Sequence, residues 1–290
     1  QQSDYDAQGN LNYQYNELGE VTSFTHNARG QVQSVTDGEG RTTHYTRDQA
    51  GRILSETDPA GNTAFYRRDA NGQIDRIEFP DGTTIDEEWR NGLLRERVDQ
   101  DGNITRWAYD DNGFPERIDY FGTVIGDDDD AFRLMTHDAV GRVNSLTEGG
   151  INTPEADWRT TQYFYYDAAT ARDLDQPVRI IDPDGREALY RYDGNNQVIY
   201  QRDFSGVETH FQYTPRRQVE VKTIVMPDPL DDTRNVEYEY RYQYDAEGNL
   251  ERAEHPGDVV WFYEYDDRNR LERSGIEGTN VLRTVTYDLA

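Results

Sequence analysis

Aromatic side chains recur two positions apart along much of the chain, which is the spacing of one face of a β-strand. The clearest pairs are Tyr13/Tyr15, Tyr190/Tyr192, Phe211/Tyr213, Tyr242/Tyr244 and Tyr263/Tyr265. A turn phrase follows each pair, and then a second short run with aliphatic residues three apart, such as Val32 and Val35. A step of three breaks the alternation of a strand and predicts a β-bulge or kink. The sequence therefore predicts a unit of strand, turn and bulged strand.

Two kinds of turn phrase separate the strands. The first follows the aromatic strand directly, as in Asp48-Gln49-Ala50-Gly51. Its aspartate can bond the backbone of its own turn, and its glycine supplies a positive φ. The second joins one unit to the next, as in Asp58-Pro59-Ala60-Gly61, and Asp-Gly between extended runs is a strong hairpin signal. We therefore predict an all-β fold, a long antiparallel meander of hairpin units that curls into a spiral shell or part of one.

The first aspartate of each unit recurs at a nearly constant step. Asn27, Asp48 and Asp69 are separated by 21 residues each. Later steps lengthen, and about a dozen units cover nearly the whole chain, which is typical of a repeat architecture. We predict one continuous segment over residues 1–290. We expect it to be a piece of a larger protein, because its start is not a usual initiator and its end falls inside a repeat. The repeat positions expected to hold the segment together are Tyr45, Asp48, Gly51, Asp69, Gly72, Tyr109, Asp110, Gly113, Asp138, Gly141, Tyr192, Asp193, Tyr244, Asp245, Gly248, Tyr265 and Asp266.

Three longer stretches interrupt the repeat, near residues 122–132, 149–162 and 226–236. Because the register resumes after each one, we interpret them as surface excursions. The first contains the acidic run Asp127–Asp130, for which a solvated loop and a weak calcium site are the two interpretations. The second contains Trp158, our candidate for a surface contact with a partner.

Charge and composition narrow the functional classes. The formal net charge of -27 argues against binding to nucleic acids and to anionic membranes, because both require clustered positive charge. Lys222 is the only lysine among 30 basic residues, so arginines could stack on the 21 tyrosines, although codon usage explains the bias equally well. The absence of cysteine excludes disulfides and thiolate metal sites. No apolar run of about 18 residues is present to span a membrane.

The phrase Tyr-x-Tyr-Asp-x-x-Gly-Arg-aliphatic, closed by Asp-Pro-x-Gly, resembles the YD repeat of the rearrangement-hotspot (RHS) family. The best matches run from Tyr45 to Ile53, from Tyr109 to Phe114, from Tyr190 to Val198 and from Tyr242 to Leu250. The family includes bacterial polymorphic toxins, the toxin-complex cocoon proteins of insect pathogens and the animal teneurins. The resemblance implies repeats that wind a sheet into a hollow shell, which encloses a C-terminal toxin segment in the bacterial members.

From this resemblance we expect a structural wall segment without catalysis, from a secreted or surface-delivered bacterial protein whose signal lies outside this chain. The implied partners are the remainder of the parent polypeptide and an enclosed cargo. Toxin-bearing members also carry a core region in which aspartates release the toxin. Its Asp-Pro-x-Gly is similar to Asp58-Pro59 and Asp182-Pro183, but neither is followed by that region's apolar, glycine-rich run. Autoproteolysis is therefore not assigned to them.

The histidines and carboxylates give little indication of a catalytic or metal-binding site. His26 and His137 occupy tyrosine positions of the repeat, and no histidine spacing indicates a zinc site. The 57 carboxylates recur as turn residues and single out no glycosidase pair. We predict no catalysis, no cofactor and no metal centre. The alternatives are an adhesion module that binds glycans or a protein through exposed aromatic residues, and a hydrolase. An exposed edge near Thr286-Tyr287 could also pair with a second copy of the chain.

Overall fold

The computed structural model describes residues 2–16, 18–128, 130–167 and 172–285. Nearly all of these residues lie in strands or turns, and one short 3-10 helix spans Glu155–Asp157. The chain divides into two compact units, Gln1–Met135 with Glu148–Trp158 and Thr136–Thr147 with Arg159–Leu289. The predicted all-β repeat fold is thereby confirmed. The interpretation of residues 1–290 as one continuous wall segment stays a prediction.

The first unit is a meander in which each strand pairs antiparallel with the next. Its complete strands are β1 (Gln2–Tyr5), β2 (Leu11–Tyr15), β3 (Val21–His26), β4 (Val32–Thr36), β5 (Thr42–Arg47), β6 (Ile53–Thr57), β7 (Thr63–Arg68), β8 (Ile74–Glu78), β9 (Thr84–Arg90), β10 (Leu93–Val98), β11 (Ile104–Tyr109) and β12 (Pro115–Phe121). Strands β13 (Ala131–His137) and β14 (Val143–Gly150) each contribute residues to both units.

The second unit follows the same plan. Its strands are β15 (Arg159–Phe164), β16 (Tyr166–Asp167), β17 (Arg172–Asp173), β18 (Arg179–Ile181), β19 (Glu187–Tyr192), β20 (Val198–Arg202), β21 (Glu208–Tyr213), β22 (Val219–Asp228), β23 (Asp231–Tyr244), β24 (Leu250–His255), β25 (Val259–Tyr265), β26 (Leu271–Ile276) and β27 (Leu282–Thr284). Strands β16 and β17 form a separate two-stranded sheet. Strand β15 pairs with β18, and from there each strand pairs with the next.

The predicted bulge lies in the second strand of the hairpin. Pairing steps from Ser34 opposite Thr25 to Val32 opposite His26, which leaves Gln33 as the extra residue. The same register shift occurs between Arg76 and Ile74 in the hairpin of β7 and β8. Because one residue is inserted, two aliphatic side chains three positions apart can face the same side of the sheet. The broken alternation in the sequence is therefore confirmed as a bulge.

Few side chains are deeply buried, which fits the low mean hydropathy. The buried apolar residues of the described part are Ile85, Phe132, Leu174, Ala188, Val221 and Ala253. Cross-strand pairs therefore supply much of the stabilisation. In the first unit hydroxyl pairs line one face of the sheet at oxygen–oxygen distances of 2.6 to 2.9 Å: Thr25–Ser34, Thr36–Thr42, Thr46–Ser55 and Thr57–Thr63. Further along that face the cross-strand pairs are ionic, as between Arg106 Nε and Glu96 Oε2 at 2.7 Å.

Candidate functional site

The repeat turn is the most regular feature of the molecule, and Asp48 shows how it is built. The Asp48 N–H donates to the Arg52 carbonyl at 2.9 Å, and the Gly51 N–H donates to the Asp48 carbonyl at 3.0 Å. The carboxylate oxygen Oδ1 accepts from the Arg52 N–H at 2.9 Å, and Oδ2 accepts from Arg52 Nε at 2.7 Å. Gly51 closes the turn with φ of 87°. This is the three-residue hairpin loop in which a type I turn ends on a left-handed residue.

The other predicted turn positions have the same backbone arrangement. The first residue's carbonyl accepts from the residue three positions later in turns that begin at Asp69, Asp110, Asp138, Asp193, Asp245 and Asp266. Gly72, Gly113, Gly141 and Gly248 take the left-handed place, and Asn196 and Asn269 take it after Asp193 and Asp266. The turns between units, which begin at residues such as Asp58, Asp99 and Asp182, are built identically. Both turns of a unit therefore have one geometry, although their sequence phrases differ.

The hydrogen bonds of the turn lower the pKa of several of these carboxyl groups. For Asp266 the side chain of Arg270 is the largest cause and the backbone N–H of the same residue is the next. Asn249 has the same effect on the pKa of Asp245. For Asp48 the largest cause is the Arg52 backbone N–H. The charged carboxylate is thus the form that the turn stabilises.

One unit forms its hairpin by a different turn. Arg90 pairs directly with Leu93, and the two residues between them are Asn91 and Gly92. Both have positive φ, of 55° and 80°. Asn-Gly is the preferred sequence for a two-residue type I′ turn, whose twist matches that of the strands. This explains why the repeat phrase is degraded around Arg90 while the meander continues.

A second recurring feature joins several units to their predecessors. We call the residue directly before the turn the tyrosine slot. The slot hydroxyl donates to a backbone carbonyl of an earlier unit in Tyr109 to Leu94 (2.8 Å), Tyr192 to Pro177 (2.9 Å), Tyr213 to Val198 (2.7 Å), Tyr244 to Val219 (2.9 Å) and Tyr265 to Leu250 (3.0 Å). The slot residue Arg47 does the same through nitrogen, since its Nε donates to the Val32 carbonyl at 3.1 Å. Trp89 lies one position further from its turn and donates through Nε1 to the Ile74 carbonyl at 2.8 Å.

The accepting carbonyl lies at the bulge. Leu94, Val198, Val219 and Leu250 each precede the extra residue of their strand. A bulge disrupts the ladder locally, and a backbone carbonyl that leaves the ladder needs another donor. Burial accordingly raises the pKa of Tyr109, so its hydroxyl stays protonated and able to donate. We call this hydrogen bond the slot staple.

The predicted site residue Tyr45 has a different place. It lies two positions before the slot residue Arg47, whose guanidinium carbon is 5.9 Å from the centre of the Tyr45 ring. Guanidinium groups also lie over the rings of Tyr109 and Tyr165, at 5.0 Å for Arg95 and 4.4 Å for Arg142. Contacts of this kind cover ring faces with a polar group and suit a sheet that is exposed to water.

Sequence reasoning found the slot tyrosines but missed the staple. The signal was present, because residues at the slot include tyrosine, arginine and histidine, and each of these carries a hydrogen-bond donor on a long side chain. The acceptor could not be found, since it is a backbone carbonyl that lies 15 residues away from most slots.

The acidic loop is organised by one inward-facing carboxylate. Asp130 is almost completely buried, and its two oxygens accept from the backbone N–H groups of Gly122 and Gly126 at 3.2 and 2.5 Å. Its carbonyl accepts from Ile151, which ties the loop to the second insertion. Among the described residues no group of three or more histidine or acidic side chains could hold a metal ion. Asp129, part of the suggested calcium site, lies outside the described residues.

Trp158 packs against Phe132 of β13 and against its own insertion. Its ring meets the Phe132 ring edge-on, with the centres 4.7 Å apart and the planes at 73°. Its Nε1 donates to the Thr153 carbonyl at 3.3 Å. The side chain is half-buried, so only part of the ring faces solvent. A partner contact through Trp158 stays a prediction.

The second unit contains an open groove of about 610 Å³ beside the β16–β17 hairpin. Its lining includes Tyr163, Phe164, Tyr166, Tyr190 and Arg179. Arg142 anchors one side, because its guanidinium binds Asp138 at 2.6 Å and Asp173 at 2.9 Å. Charges of both signs and exposed rings meet here, which is the chemistry that suits a neutral polar ligand. The sequence did not predict this groove, because it depends on where the two-stranded sheet of β16 and β17 lies.

The described residues contain no helix with the length and apolarity required to cross a membrane. The exposed edge predicted near Thr286-Tyr287 lies outside the part of the chain that the structure describes.

The recurring turn geometry, the bulges in strands that follow the repeat turns and the staples between units define a class of protein, the antiparallel β-hairpin repeat. Residues 26–63 match the sequence profile of the RHS Repeat family, which confirms the resemblance identified in the sequence. No curated protein matches the chain.

Solved structures align with nearly the whole of this chain. TcdB2-TccC3 without its hypervariable C-terminal region is 13% identical, with a TM-score of 0.52 over 99% of this chain and 19% of that chain. The Tc holotoxin pore of Photorhabdus luminescens, with a TccC3 variant, is 14% identical, with a TM-score of 0.44 over 96% of this chain and 22% of that chain. The chain thus spans about a fifth of the length of the structures it matches.

Proposed function

We propose that this chain is a segment of an RHS-type β-shell and that it acts by containment, enclosing a cargo such as a C-terminal toxin segment. The observation that carries the proposal is the slot staple. It recurs along the chain and links a side chain of one unit to the backbone of an earlier one, so it serves the continuity of a sheet. The shared fold of TcdB2-TccC3, at a TM-score of 0.52, supports the same class.

The proposal assigns the turn residues a mechanical role. Each carboxylate of the Asp48 type fixes a tight turn, and each bulge adds local twist. Repetition of both at a fixed step would give a sheet a uniform curvature. The role of the wall would then depend on its shape. We propose that this segment catalyses no reaction.

Secretion or surface delivery from a bacterial cell is part of the same proposal, as is an enclosed cargo within the parent polypeptide. The net charge of -27 suits such a wall, because like charge keeps large assemblies soluble and apart.

Limited proteolysis of the parent polypeptide tests containment. The segment that follows the repeats would carry an epitope tag, and its survival would be followed under a non-specific protease. We expect the tag to be cleaved at least tenfold more slowly in the intact polypeptide than in one that lacks residues 1–290. Equal cleavage rates would contradict the proposal.

The groove beside β16–β17 favours adhesion as a second candidate function. Tyr166 exposes 60% of its surface there, and exposed rings flanked by charged groups suit the stacking of a sugar. A glycan array with the chain and its Tyr166→Ala and Trp158→Ala variants tests this candidate. A signal lost with Tyr166→Ala or Trp158→Ala supports adhesion, and the absence of any signal would contradict it.

A further inference from the structure

The longest hairpin of the molecule extends beyond its neighbours. Strands β22 and β23 contain 10 and 14 residues, whereas β14, the next in length, contains 8. Strand β21 pairs with β22 only as far as Val225, and β24 pairs with β23 only from Arg241. The pairing of β22 with β23 nevertheless continues to Pro227 opposite Asn235. Residues 226–236 therefore form a two-stranded extension, and Glu237 to Glu239 continue the same outer edge of β23 where β22 also pairs with β21. We call residues 226–239 the β-arm.

The two edges of the β-arm are unequal. The β22 edge is short and contains Pro227, which lacks an N–H and cannot donate to an added strand. In the part of the chain that the structure describes, no strand pairs with the outer edge of β23 between Asp231 and Glu239. Such an edge is a template for a further strand. The β-arm is thus closed to addition on one side and open on the other.

The open edge carries an alternating pattern. Val236 and Tyr238 lie on one face, opposite Met226 and Ile224 of β22. Tyr238 is 36% exposed, and among the described residues no strand pairs with β23 beside it on the outer edge. Glu237 and Glu239 lie on the other face and are exposed, and Glu239 forms an exposed ion pair with Arg241 at 2.7 Å that a basic partner would replace. An added strand would therefore meet apolar side chains on one face and carboxylates on the other.

Positive charge on the β-arm is already neutralised. Arg234 binds Asp228 at 2.7 Å and Asp231 at 3.0 Å. The whole chain has a net charge of -27, so a second copy would be repelled from this edge. The charge pattern selects a basic partner.

We propose that the open edge of the β-arm binds an extended polypeptide segment in which basic and apolar residues alternate. Backbone hydrogen bonds would add the segment to β23 as a further strand. Its basic side chains would pair with Glu237 and Glu239, and its apolar side chains would extend the face of Val236 and Tyr238. This inference does not require the chain to be a shell.

Fluorescence anisotropy with a labelled peptide of Lys-Val repeated four times tests the proposal. We expect saturable binding by the chain, and a dissociation constant raised about tenfold or more by the double change Glu237→Lys and Glu239→Lys. The matched control is the double change Glu247→Lys and Asp267→Lys, which alters the net charge equally at exposed repeat turns. A Glu-Val peptide of the same length should not bind.

Two further measurements keep the result interpretable. Circular dichroism checks that the charge-reversed chain folds, and the milder change Glu237→Gln with Glu239→Gln replaces it if it does not. Equal weakening by the β-arm and control changes would show binding by general charge and overturn the proposal, as would no binding of the Lys-Val peptide. Sedimentation that reveals a dimer lost in the β-arm variant would also overturn it, because the occupant would then be a second copy.

Discussion

At the residue scale, the left-handed position of the turn shows why glycine recurs. Gly113 has φ of 86°, and a Cβ placed there would meet no atom within 4 Å. Crowding therefore does not select glycine at this position. The selection is conformational, because a residue with a Cβ loses roughly 1–2 kcal/mol in the left-handed region. Arg217 occupies the same position in its turn with φ of 67°.

These two positions give a pair of opposite predictions. Gly113→Ala should lower the free energy of unfolding by about 1 kcal/mol, and Arg217→Gly should raise it by up to about 1 kcal/mol. Asn269→Gly is the control and should change little, because asparagine tolerates this region. Urea denaturation followed by circular dichroism measures all three. A destabilising Arg217→Gly would mean that side-chain contacts of Arg217 outweigh its backbone strain.

The turn aspartate contributes to stability as a hydrogen-bond acceptor and as a charge, and two substitutions separate these contributions. Asn27 makes the same turn, with its side-chain oxygen accepting from the N–H groups of Arg29 and Gln31 at 2.9 and 3.1 Å. Asp48→Asn should therefore keep the backbone bonds and lose the ion pair with Arg52. We expect Asp48→Ala to lower the thermal midpoint by about 2–4 °C and Asp48→Asn by about half as much. Equal losses would show that the ion pair alone stabilises the turn.

The same carboxylates predict a dependence on pH. The pKa of Asp48 and Asp266 is lower in the folded chain than in the unfolded one. Their contribution is therefore complete above the unfolded pKa of about 3.9 and is lost as the pH falls through the folded value. The difference in thermal midpoint between the chain and the double change Asp48→Asn with Asp266→Asn should be constant from pH 7 to about pH 5 and shrink below about pH 4. A difference that grows in acid would contradict this assignment.

At the scale of the element, the slot staple connects hairpins that are consecutive in the sheet. Tyr109→Phe removes only the hydroxyl and leaves the Leu94 carbonyl without that donor. We expect a loss of about 1 kcal/mol in the free energy of unfolding. Tyr13→Phe is the matched control, because Tyr13 is 45% exposed. Equal effects of the two changes, measured by urea denaturation, would indicate that the hydroxyl of Tyr109 forms no staple of its own.

The hairpins could be predicted from the sequence, and the staples could not. Tyr242 and Tyr244 lie two apart and Asp245 and Gly248 mark a turn, so strand, turn and register follow from local rules. The partner of Tyr244 is the carbonyl of Val219, 25 residues earlier, because the β-arm intervenes. Such a contact depends on the length of every strand between the two residues. The inward orientation of Asp130 was unpredictable for the same reason, since its donors Gly122 and Gly126 come from an irregular loop.

At the scale of the whole molecule, the main feature is the excess of negative charge. Acidic residues number 57 and basic residues 30, so many carboxylates have no partner of opposite charge. Exposed ion pairs contribute little, and self-repulsion falls as salt screens it. We expect the thermal midpoint to rise when sodium chloride is increased from about 0.05 to about 1 M. A fall would mean that the surface ion pairs outweigh the repulsion.

We base the proposal of a wall on the repetition of the turn, the bulge and the slot staple along the chain. The most direct measurement is electron cryo-microscopy of the parent polypeptide with its cargo segment. The account predicts a hollow particle in which residues 1–290 line a cavity that holds the cargo density. A particle in which these residues fold apart from any cavity would contradict it.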